Sequence, residues 1–314
     1  MKVVFLDRLT LGDDFLMQLP IDAEFVCYDF TEPQEVIGRI EDADVVFVNK
    51  IKLGSHELSA AKRLKVICEA ATGYDNIDIS YCRENRIAVC NVPGYSTNSV
   101  AQITVAMAMS LINHLPEYRA YTASGAYTAS GFPTAVSPVF HEMEGMTWGI
   151  VGYGAIGKKV AEIATACGCK VLAYKRTPVP EVSCVSLKEL LKHSDIVSVH
   201  LPLSDATRGL IDKEKISWMK ENAVFINVAR GAVVDEKALC DALQNGEIAA
   251  LGVDVFAKEP FETESPYYAI KDYPNVCLTP HMAWGSLESR KRCFDEMGNN
   301  MMAFFAGDIR NRVE

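Results

Sequence analysis

The chain has 314 residues, 49% of them hydrophobic, and a formal net charge of −10 at pH 7. This length predicts about two domains, and the acidic balance argues against nucleic acid or an anionic membrane surface as a partner. Its ten cysteines include no Cys-x-x-Cys pair, so the spacing of a metal site is absent and we expect no bound metal.

The first hundred residues alternate between short apolar runs and polar helical patterns, which predicts parallel βαβ units. The predicted strands cover residues 3–6, 24–27, 45–48, 66–68 and 88–90, with helices at 31–41 and 55–63. The N-terminal apolar run is too short for a secretory signal. The longest apolar stretch, 105–112, is interrupted by Ser110, so we expect no membrane span and a cytoplasmic protein.

Residues 98–119 predict a longer helix, because capping oxygens at Ser96, Thr97 and Asn98 precede closely spaced apolar residues. Residues 120–147 then lose periodicity, which indicates an arm or a connecting loop. From residue 147 the alternation restarts. Strands are predicted at 148–151, 170–173, 196–200, 223–228, 251–255 and 276–279, and helices at 187–192, 236–244 and 287–305. The predicted fold class is therefore α/β, with two doubly wound parallel sheets.

A glycine turn, Gly152-Tyr153-Gly154-Ala155-Ile156-Gly157, lies between a predicted strand and a helix start. In that context the first glycine allows the tight turn, the second lets the backbone approach a pyrophosphate, and the third lets helix and strand pack closely. The helix N-terminus adds free N–H groups and a positive dipole end. The pattern favours dinucleotide binding; the alternative is a purely structural turn.

Three later strands end in side chains that suit chemistry, because ligands bind at the carboxyl ends of strands in such sheets. Arg230 is either a two-point clamp for a carboxylate or a structural partner of loop carbonyls. Glu259, before a proline, is either a site residue or a solvated loop carboxylate. His281 is either a proton donor near neutral pH or a partly buried, hydrogen-bonded side chain. Together they suit reduction of a 2-oxo acid.

Ordered motifs occur along nearly the whole chain. They lie at residues 71–78, 91–97, 152–157, 199–203, 227–235, 252–254, 259–260 and 279–281. This series strongly resembles the D-isomer-specific 2-hydroxyacid dehydrogenase family. Residues 96–102 and 281–284 are most similar to its glycerate dehydrogenase/hydroxypyruvate reductase branch.

The resemblance implies roles for individual residues. Arg230, Glu259 and His281 match the catalytic triad, and the backbone N–H groups of Thr72 and Gly73 match the loop that receives the substrate carboxylate. Lys50 lies in a region that often faces the substrate, and Trp284 is expected either to narrow the substrate pocket or to pack at the hinge. The implied cofactor-binding residues are Thr104, Gly152, Tyr153, Gly154, Ala155, Ile156, Gly157, Lys175, Arg176, Thr177, His200, Leu201, Pro202, Thr207, Val228, Ala229, Asp254 and Ala283.

The resemblance also implies a layout. A flavodoxin-like substrate domain is formed by residues 1–97 and 285–314, and a Rossmann-type cofactor domain, residues 98–284, is inserted in it. The segment 98–147 would build a homodimer interface, which agrees with its arm-like composition.

The identity of the dinucleotide depends on Lys175. In NAD-specific members an acidic residue about 18 positions past the last glycine binds the ribose hydroxyls. Counting from Gly157 gives Lys175, which Arg176 and Thr177 follow. Since no carboxylate would repel a 2′-phosphate and two cations would attract one, the sequence favours NADP. The alternative, that Lys175 points to water and Arg176 stacks on adenine, leaves NAD acceptable.

We therefore expect an NAD(P)H-dependent reductase of a small 2-oxo acid, hydroxypyruvate or glyoxylate, that forms the D-2-hydroxy acid. One alternative is a reductase of another 2-oxo acid, of the D-lactate, phenyllactate or 2-hydroxyisocaproate type. A second is a dinucleotide-sensing binding protein similar to the family's corepressors, which can retain the triad. Glu259 argues against formate-type members, which generally carry glutamine there.

Overall fold

Two parallel β-sheets organise the computed structural model of the chain, which describes residues 1–19 and 21–314. Each sheet belongs to its own unit of the chain. Residues 1–96 and 285–314 form the first unit, and residues 97–284 form the second. Within the described residues, no helix combines the length and apolar character that crossing a membrane requires.

The first unit is built on five parallel strands. They are β1 (Lys2–Phe5), β2 (Glu24–Cys27), β3 (Val45–Val48), β4 (Val66–Glu69) and β5 (Ala88–Cys90), with helices α1 (Val36–Ile40), α2 (Ser55–Leu58) and α3 (Ile79–Glu84) between them. The strand order is β2-β1-β3-β4-β5, which is the flavodoxin-like order. Valine-rich strands such as β3 are buried throughout, as expected for a sheet covered on both faces.

The C-terminal helix (Leu287–Ala306) completes this first unit. Its inward face carries Phe294, whose ring lies 6.3 Å from Phe47 and 6.2 Å from Phe25. Met297 and Met301, further along the same face, are fully buried. The helix therefore covers one face of the five-stranded sheet although it is distant in sequence.

The second unit contains seven parallel strands. They are β6 (Thr147–Val151), β7 (Lys170–Tyr174), β8 (Ser183–Cys184), β9 (Ile196–Val199), β10 (Val224–Asn227), β11 (Ala250–Val253) and β12 (Val276–Leu278). Its helices are α4 (Thr97–Ile112), α5 (Leu115–Ala123), α6 (Ala126–Ser130), α7 (Ala155–Ala166), α8 (Leu187–His193), α9 (Lys213–Ile216), α10 (Glu236–Gln244) and α11 (Pro266–Ile270). The order β12-β11-β10-β9-β6-β7-β8 contains the Rossmann arrangement.

Strand register brings the ends of β10, β11 and β12 to one edge of this sheet. Asn227 is paired with Val253, and Val253 with Leu278. Consequently the segments that begin at Val228, Asp254 and Thr279 leave the sheet side by side. These are the segments that carry the three candidate catalytic residues.

The predicted fold class is confirmed, whereas one long element is wrong in detail. The helix predicted over 98–119 is divided, because α4 ends at Ile112 and His114 adopts a left-handed backbone with φ 51°. Pro116, which has no N–H to donate, then lies in the first turn of α5. The segment 120–147, predicted as an arm or loop, contains the end of α5 and the short α6.

Candidate active site

In the glycine turn after β6, a Cβ would clash with the protein at two of the three glycines and would meet open space at the third. A Cβ on Gly152, whose φ is 104°, would lie 2.8 Å from the His200 carbonyl, and a Cβ on Gly157 would lie 2.3 Å from the Gly152 carbonyl oxygen. A Cβ on Gly154 would meet nothing within 4 Å. The turn therefore exposes backbone at Gly154, directly before the N-terminus of the 12-residue helix α7.

This geometry fits a dinucleotide. A pyrophosphate needs backbone N–H groups that it can approach closely and a helix N-terminus whose dipole favours an anion. The open face of Gly154 and the start of α7 at Ala155 supply both. Tyr153, between the glycines, is buried, and Ile156 is half-buried beside the core.

The end of β7 places one cation, Lys175, beside this turn. The Lys175 ammonium lies 3.3 Å from the Tyr153 carbonyl oxygen, whereas Arg176 and Thr177 are exposed. The carboxylate of Glu181, which lies beyond the position counted from Gly157, binds the ammonium of Lys158 at 2.8 Å. Lys158 lowers the pKa of Glu181, and Lys175 adds a smaller contribution. Lys175 is therefore close enough to the turn to contact a bound nucleotide. The negative charge of Glu181 reduces the positive electrostatic potential there.

His200, at the end of β9, belongs to a buried polar chain. Ser198 accepts a hydrogen bond from the Trp148 indole at 2.9 Å, and its hydroxyl lies 2.9 Å from His200 Nε2. Burial lowers the pKa of His200 to about 3, so the imidazole is neutral at pH 7. Its buried Nδ1 has no hydrogen-bond partner among residues 1–19 and 21–314.

The remaining predicted cofactor residues occupy several strand ends and one helix. The Thr207 hydroxyl donates to the Pro202 carbonyl at 2.6 Å and shapes the turn that follows Leu201. Val228 and Ala283 are buried, and Ala229 is half-buried. Thr104 is fully buried in α4 and its hydroxyl donates to the Val100 carbonyl at 2.7 Å, so that hydroxyl is engaged inside the helix.

His281 and Glu259 form a hydrogen-bonded pair. Nδ1 of His281 lies 2.6 Å from Oε2 of Glu259, and the two side chains are 21% and 33% exposed. The other carboxylate oxygen, Oε1, accepts from the Phe256 backbone N–H at 2.9 Å. Because an ionised carboxylate only accepts, the Nδ1 position carries a proton and Nε2 is the nitrogen that remains for proton exchange.

The backbone of His281 is held in an unusual left-handed conformation, with φ 51°. Its N–H donates to the Asp254 carbonyl at 2.8 Å, and its carbonyl accepts from the Trp284 indole at 2.9 Å. A non-glycine residue adopts this conformation only where its surroundings enforce it. The indole N–H of Trp284, predicted to narrow the pocket or to pack at the hinge, thus supports the His281 turn.

The carboxylate of Asp254 stabilises the same turn through hydrogen bonds. Its buried carboxylate accepts from the Thr279 hydroxyl at 2.6 Å, the Met282 N–H at 2.8 Å and the Ala283 N–H at 3.0 Å. Burial raises the pKa of the Asp254 carboxyl, and these hydrogen bonds oppose the rise. Asp254 therefore ties the end of β11 to the segment that carries His281.

The Arg230 turn is braced by its own neighbours. The Asn227 amide donates to the Arg230 carbonyl at 3.1 Å and accepts from the Ala229 N–H at 3.1 Å. Gly231 then packs so closely on the Glu259 loop that a Cβ would lie 2.1 Å from the Phe256 carbonyl carbon. The turn after β10 and the loop after β11 are thereby held in direct contact.

Glu236 adds a second link between these two segments. Its carboxylate, in the first turn of α10, accepts from the Ala257 N–H at 2.6 Å. Burial raises the pKa of Glu236, and the nearby Glu259 carboxylate contributes to the rise. Arg230, Glu259 and His281 are thus brought to one edge of the seven-stranded sheet by a shared set of backbone contacts.

In the first unit, Thr72 and Gly73 lie in the loop after β4. The Thr72 hydroxyl donates to the Val92 carbonyl at 3.0 Å, and the Asn91 amide donates to the Thr72 carbonyl at 2.8 Å. The N–H groups of Thr72 and Gly73 donate to none of the described residues. The loop is therefore fixed through its carbonyl and side chain while two backbone donors stay available.

Lys50 follows β3 in a turn that buried polar groups hold. The Asp7 carboxylate accepts from the backbone N–H groups of Lys50 at 2.6 Å and of Asn49 at 3.0 Å. The Asn76 amide donates to the Ile51 carbonyl and to Oε2 of Glu69, each at 3.1 Å. These contacts fix the main chain around Lys50.

The comparisons with known proteins agree with this geometry. Residues 105–283 match the family described as D-isomer specific 2-hydroxyacid dehydrogenase, NAD binding domain. That match covers more than half of the chain. The chain belongs to the D-isomer-specific 2-hydroxyacid dehydrogenase family.

Two relatives of this dehydrogenase align over nearly their whole length. A hydroxypyruvate reductase of Blautia hydrogenotrophica is 35% identical over 100% of this chain and 99% of its own length. A glycerate dehydrogenase of Methylorubrum extorquens is also 35% identical, over 100% and 99% respectively. The predicted family and branch are confirmed, and the chain is an oxidoreductase of the kind that acts on CH–OH groups.

Two similar solved structures hold two different cofactors. An acyclic imino acid reductase in complex with NADPH and D-Arg superposes with a TM-score of 0.85, at 28% identity and full coverage of both chains. A D-lactate dehydrogenase from Aquifex aeolicus, complexed with NAD and lactic acid, gives 0.82 at 31% identity, over 98% of this chain and 96% of that one.

Several residues that shape this dehydrogenase site were not predicted. Gly231 and Thr279 lie within the motifs at 227–235 and 279–281, and Glu236 directly follows the first of these. Their roles, however, depend on contacts between segments that are separate in sequence. Glu69 is the exception, because a glutamate at the end of the apolar run 66–68 is itself a signal. It is fully buried.

Proposed function

We propose that this dehydrogenase reduces a small 2-oxo acid, hydroxypyruvate or glyoxylate, to the D-2-hydroxy acid. The pair formed by His281 and Glu259, 2.6 Å apart beside Arg230's turn, carries the proposal. The names of the relatives support the choice of substrate, since a hydroxypyruvate reductase and a glycerate dehydrogenase each align over the whole chain.

In the proposed reaction, His281 supplies the proton. Nε2 of the imidazolium donates to the carbonyl oxygen as that oxygen gains negative charge, which leaves a hydroxyl on the product. Glu259 keeps the ring oriented through Nδ1 and stabilises the imidazolium before the transfer. NAD(P)H, when bound, supplies the hydride that reduces the carbonyl carbon.

Each unit contains a group that suits the substrate's acid end. The guanidinium of Arg230 offers two-point binding to a carboxylate and polarises the adjacent carbonyl. In the first unit, the N–H groups of Thr72 and Gly73 are donors of the kind that receive a carboxylate. The Ala71 and Thr72 carbonyls, which share peptide groups with these two donors, accept from the Val92 N–H and the Asn91 amide, so the direction of both donors is well defined.

For the cofactor we propose a preference for NADPH. The residues after β7 are Lys175, Arg176 and Thr177, so no carboxylate among them opposes a 2′-phosphate. The ammonium of Lys175 already lies beside the glycine turn. The ion pair of Lys158 with Glu181 weakens the attraction between Lys175 and a 2′-phosphate but does not cancel it, because that ion pair is exposed.

The experiment is a panel of five 2-oxo acids with both cofactors. We expect the highest kcat/KM for hydroxypyruvate or glyoxylate, lower values for pyruvate, phenylpyruvate and a branched 2-oxo acid, and loss of turnover in Arg230→Ala. A larger 2-oxo acid as the best substrate would replace the proposed substrate class. Absence of turnover with every acid would favour a dinucleotide-sensing protein instead.

We also propose that residues 98–147 form a homodimer interface. Their last part exposes several apolar side chains, with Phe132 73%, Val136 78% and Val139 68% exposed. A cluster of this kind on a segment outside the sheet is typical of a surface that another chain covers. Sedimentation should give twice the 34.6 kDa chain mass, and Val136→Asp with Val139→Asp should give the monomer.

A further inference from the structure

Asn91 lies directly after β5 and holds the loop that carries Thr72 and Gly73. Its side-chain amide donates to the Thr72 carbonyl at 2.8 Å. The Thr72 hydroxyl returns a hydrogen bond to the Val92 carbonyl at 3.0 Å, and the Val92 N–H donates to the Ala71 carbonyl at 2.9 Å. The Ala71 and Thr72 carbonyls share peptide groups with the N–H groups of Thr72 and Gly73, respectively. These hydrogen bonds therefore fix the orientation of both donors.

Asn91 is itself held by the C-terminal helix and the segment that follows it. Asn300, fully buried in that helix, donates to the Asn91 carbonyl at 2.9 Å. The Asn91 N–H donates to the Asn311 carbonyl at 3.1 Å, and the Asn311 amide donates to Oδ1 of Asn300 at 2.9 Å. The three asparagines form a closed set of hydrogen bonds behind the loop.

Such a network gives the loop little freedom. Buried amides keep their partners, because leaving one unsatisfied destabilises the folded protein. Thr72 accepts from the Asn91 amide through its carbonyl and donates to the Val92 carbonyl through its hydroxyl, so neither hydrogen bond uses its N–H. The network thus orients the loop while it leaves the two N–H donors for a ligand.

We propose that Asn91, held in place by Asn300, is a positioning residue for binding of the 2-oxo acid carboxylate. The inference rests on the proposed function, in which the N–H groups of Thr72 and Gly73 receive that carboxylate. Asn91 touches neither the substrate nor the cofactor. It fixes the direction of the donors, so its loss weakens carboxylate binding without altering proton transfer from His281.

The experiment compares Asn91→Ala, Thr72→Val and the control Asn85→Ala. In the control, an exposed amide that donates to the Tyr81 carbonyl at 2.9 Å is removed from the same unit. We expect Asn91→Ala to raise KM for hydroxypyruvate or glyoxylate about tenfold, with kcat within about twofold and the dinucleotide Kd unchanged, the pattern of lost uniform binding. The control should match the wild type.

Thr72→Val keeps the result decisive if Asn91→Ala does not fold. It removes only the hydroxyl bond to Val92 from an exposed residue, so we expect stable protein and a KM raised about threefold. An unchanged KM in either folded variant, or a fall in kcat alone, would overturn the inference.

The proposed function and this inference fail in different ways. A wild type that reduces no 2-oxo acid refutes the proposed function. In that case, hydrogen exchange of the Val92 amide, which donates to the Ala71 carbonyl, measures whether Asn91 holds the loop in place. Faster exchange in Asn91→Ala than in Asn85→Ala supports the positioning role, and equal exchange refutes it.

Discussion

Nδ1 of His281 lies 2.6 Å from Oε2 of Glu259, and the second carboxylate oxygen is occupied by the Phe256 N–H. The carboxylate thus has a fixed direction, set by the backbone of its own loop. A histidine oriented in this way presents the same ring nitrogen to its surroundings at all times. This relationship makes the pair testable by substitutions that leave the fold intact.

We expect His281→Ala to lower kcat by about 10²- to 10⁴-fold, because the general acid is lost. Glu259→Gln should lower kcat less, since the imidazole remains but its orientation and charge are no longer supported. The Kd for the dinucleotide, measured by fluorescence titration, should change less than about twofold in both variants.

A matched control exists on α8. His193 and Glu189 form a second pair, with Nε2 3.2 Å from Oε2, but both side chains are more than half exposed. His193→Ala and Glu189→Gln should leave kcat unchanged. If His281→Ala were as active as the control, His281 would have no part in proton transfer.

The glycine turn gives a second prediction, because its glycines face different surroundings. Gly154→Ala should leave the free energy of unfolding unchanged, since its Cβ meets nothing within 4 Å and its φ is −94°. It should nevertheless raise the dinucleotide Kd about tenfold, because the methyl group would occupy the face that the pyrophosphate approaches. Urea unfolding and ligand titration measure the two effects.

Gly157→Ala should differ from Gly154→Ala, because its main effect should be on the free energy of unfolding. Its Cβ would lie 2.3 Å from the Gly152 carbonyl oxygen, so the variant should lose about 1–3 kcal/mol of stability. Equal dinucleotide binding by Gly154→Ala and the wild type would show that the open face is not the binding face.

Cofactor choice gives a third prediction. Lys175→Ala should lower kcat/KM for NADPH about tenfold and change the value for NADH less than about threefold, because only the former carries a 2′-phosphate. Lys170→Ala, at the opposite end of β7, is the control and should affect neither. A wild type that prefers NADH tenfold would contradict the preference for NADPH.

The sequence predicts this fold well because its information is local. Each apolar run such as 45–48 became a parallel strand, and the turn at 152–157 kept its glycines where the backbone requires them. The sequence does not predict the division of the helix at His114. Pro116 suits the first turn of a new helix, and the pattern did not reveal that a second helix begins there.

The site could be predicted only in part, because its support is not local. Arg230, Glu259 and His281 each stand at a strand end, and strand order places such ends together. The contact of Gly231 with Phe256, and the hydrogen bond that Glu236 accepts from Ala257, depend on how segments distant in sequence pack. The short β8 and the position of Glu181 also depend on tertiary contacts, and no periodic pattern marks them.

Glu69 gives the last prediction, which concerns stability and pH. It is fully buried at the end of β4, and Oε1 has no hydrogen-bond partner within the described part of the chain. Burial raises the pKa of the Glu69 carboxyl well above 4.5; the Asn76 amide and Lys50 oppose the rise, and Asp7 and Asp75 add to it. The folded protein therefore keeps this proton where the unfolded chain has released it.

The sign follows from that difference. The stability that the bound proton provides is complete below pH 4.5 and is lost as pH rises through the folded-state pKa. Glu69→Gln cannot ionise and still offers an oxygen to Asn76. Its free energy of unfolding should equal that of the wild type near pH 4 and exceed it by about 1 kcal/mol or more at pH 8.

Urea unfolding at pH 4, 6 and 8 measures this difference, with Glu84→Gln as the control. Glu84 is an exposed residue at the end of α3, so its substitution should leave stability unchanged at every pH. A gap between Glu69→Gln and the wild type that is equal at pH 4 and pH 8 would mean that folding does not raise the pKa of this carboxyl. In that case the buried glutamate would be ionised in the folded protein, and the nearby Lys50 ammonium would have to outweigh the cost of its burial.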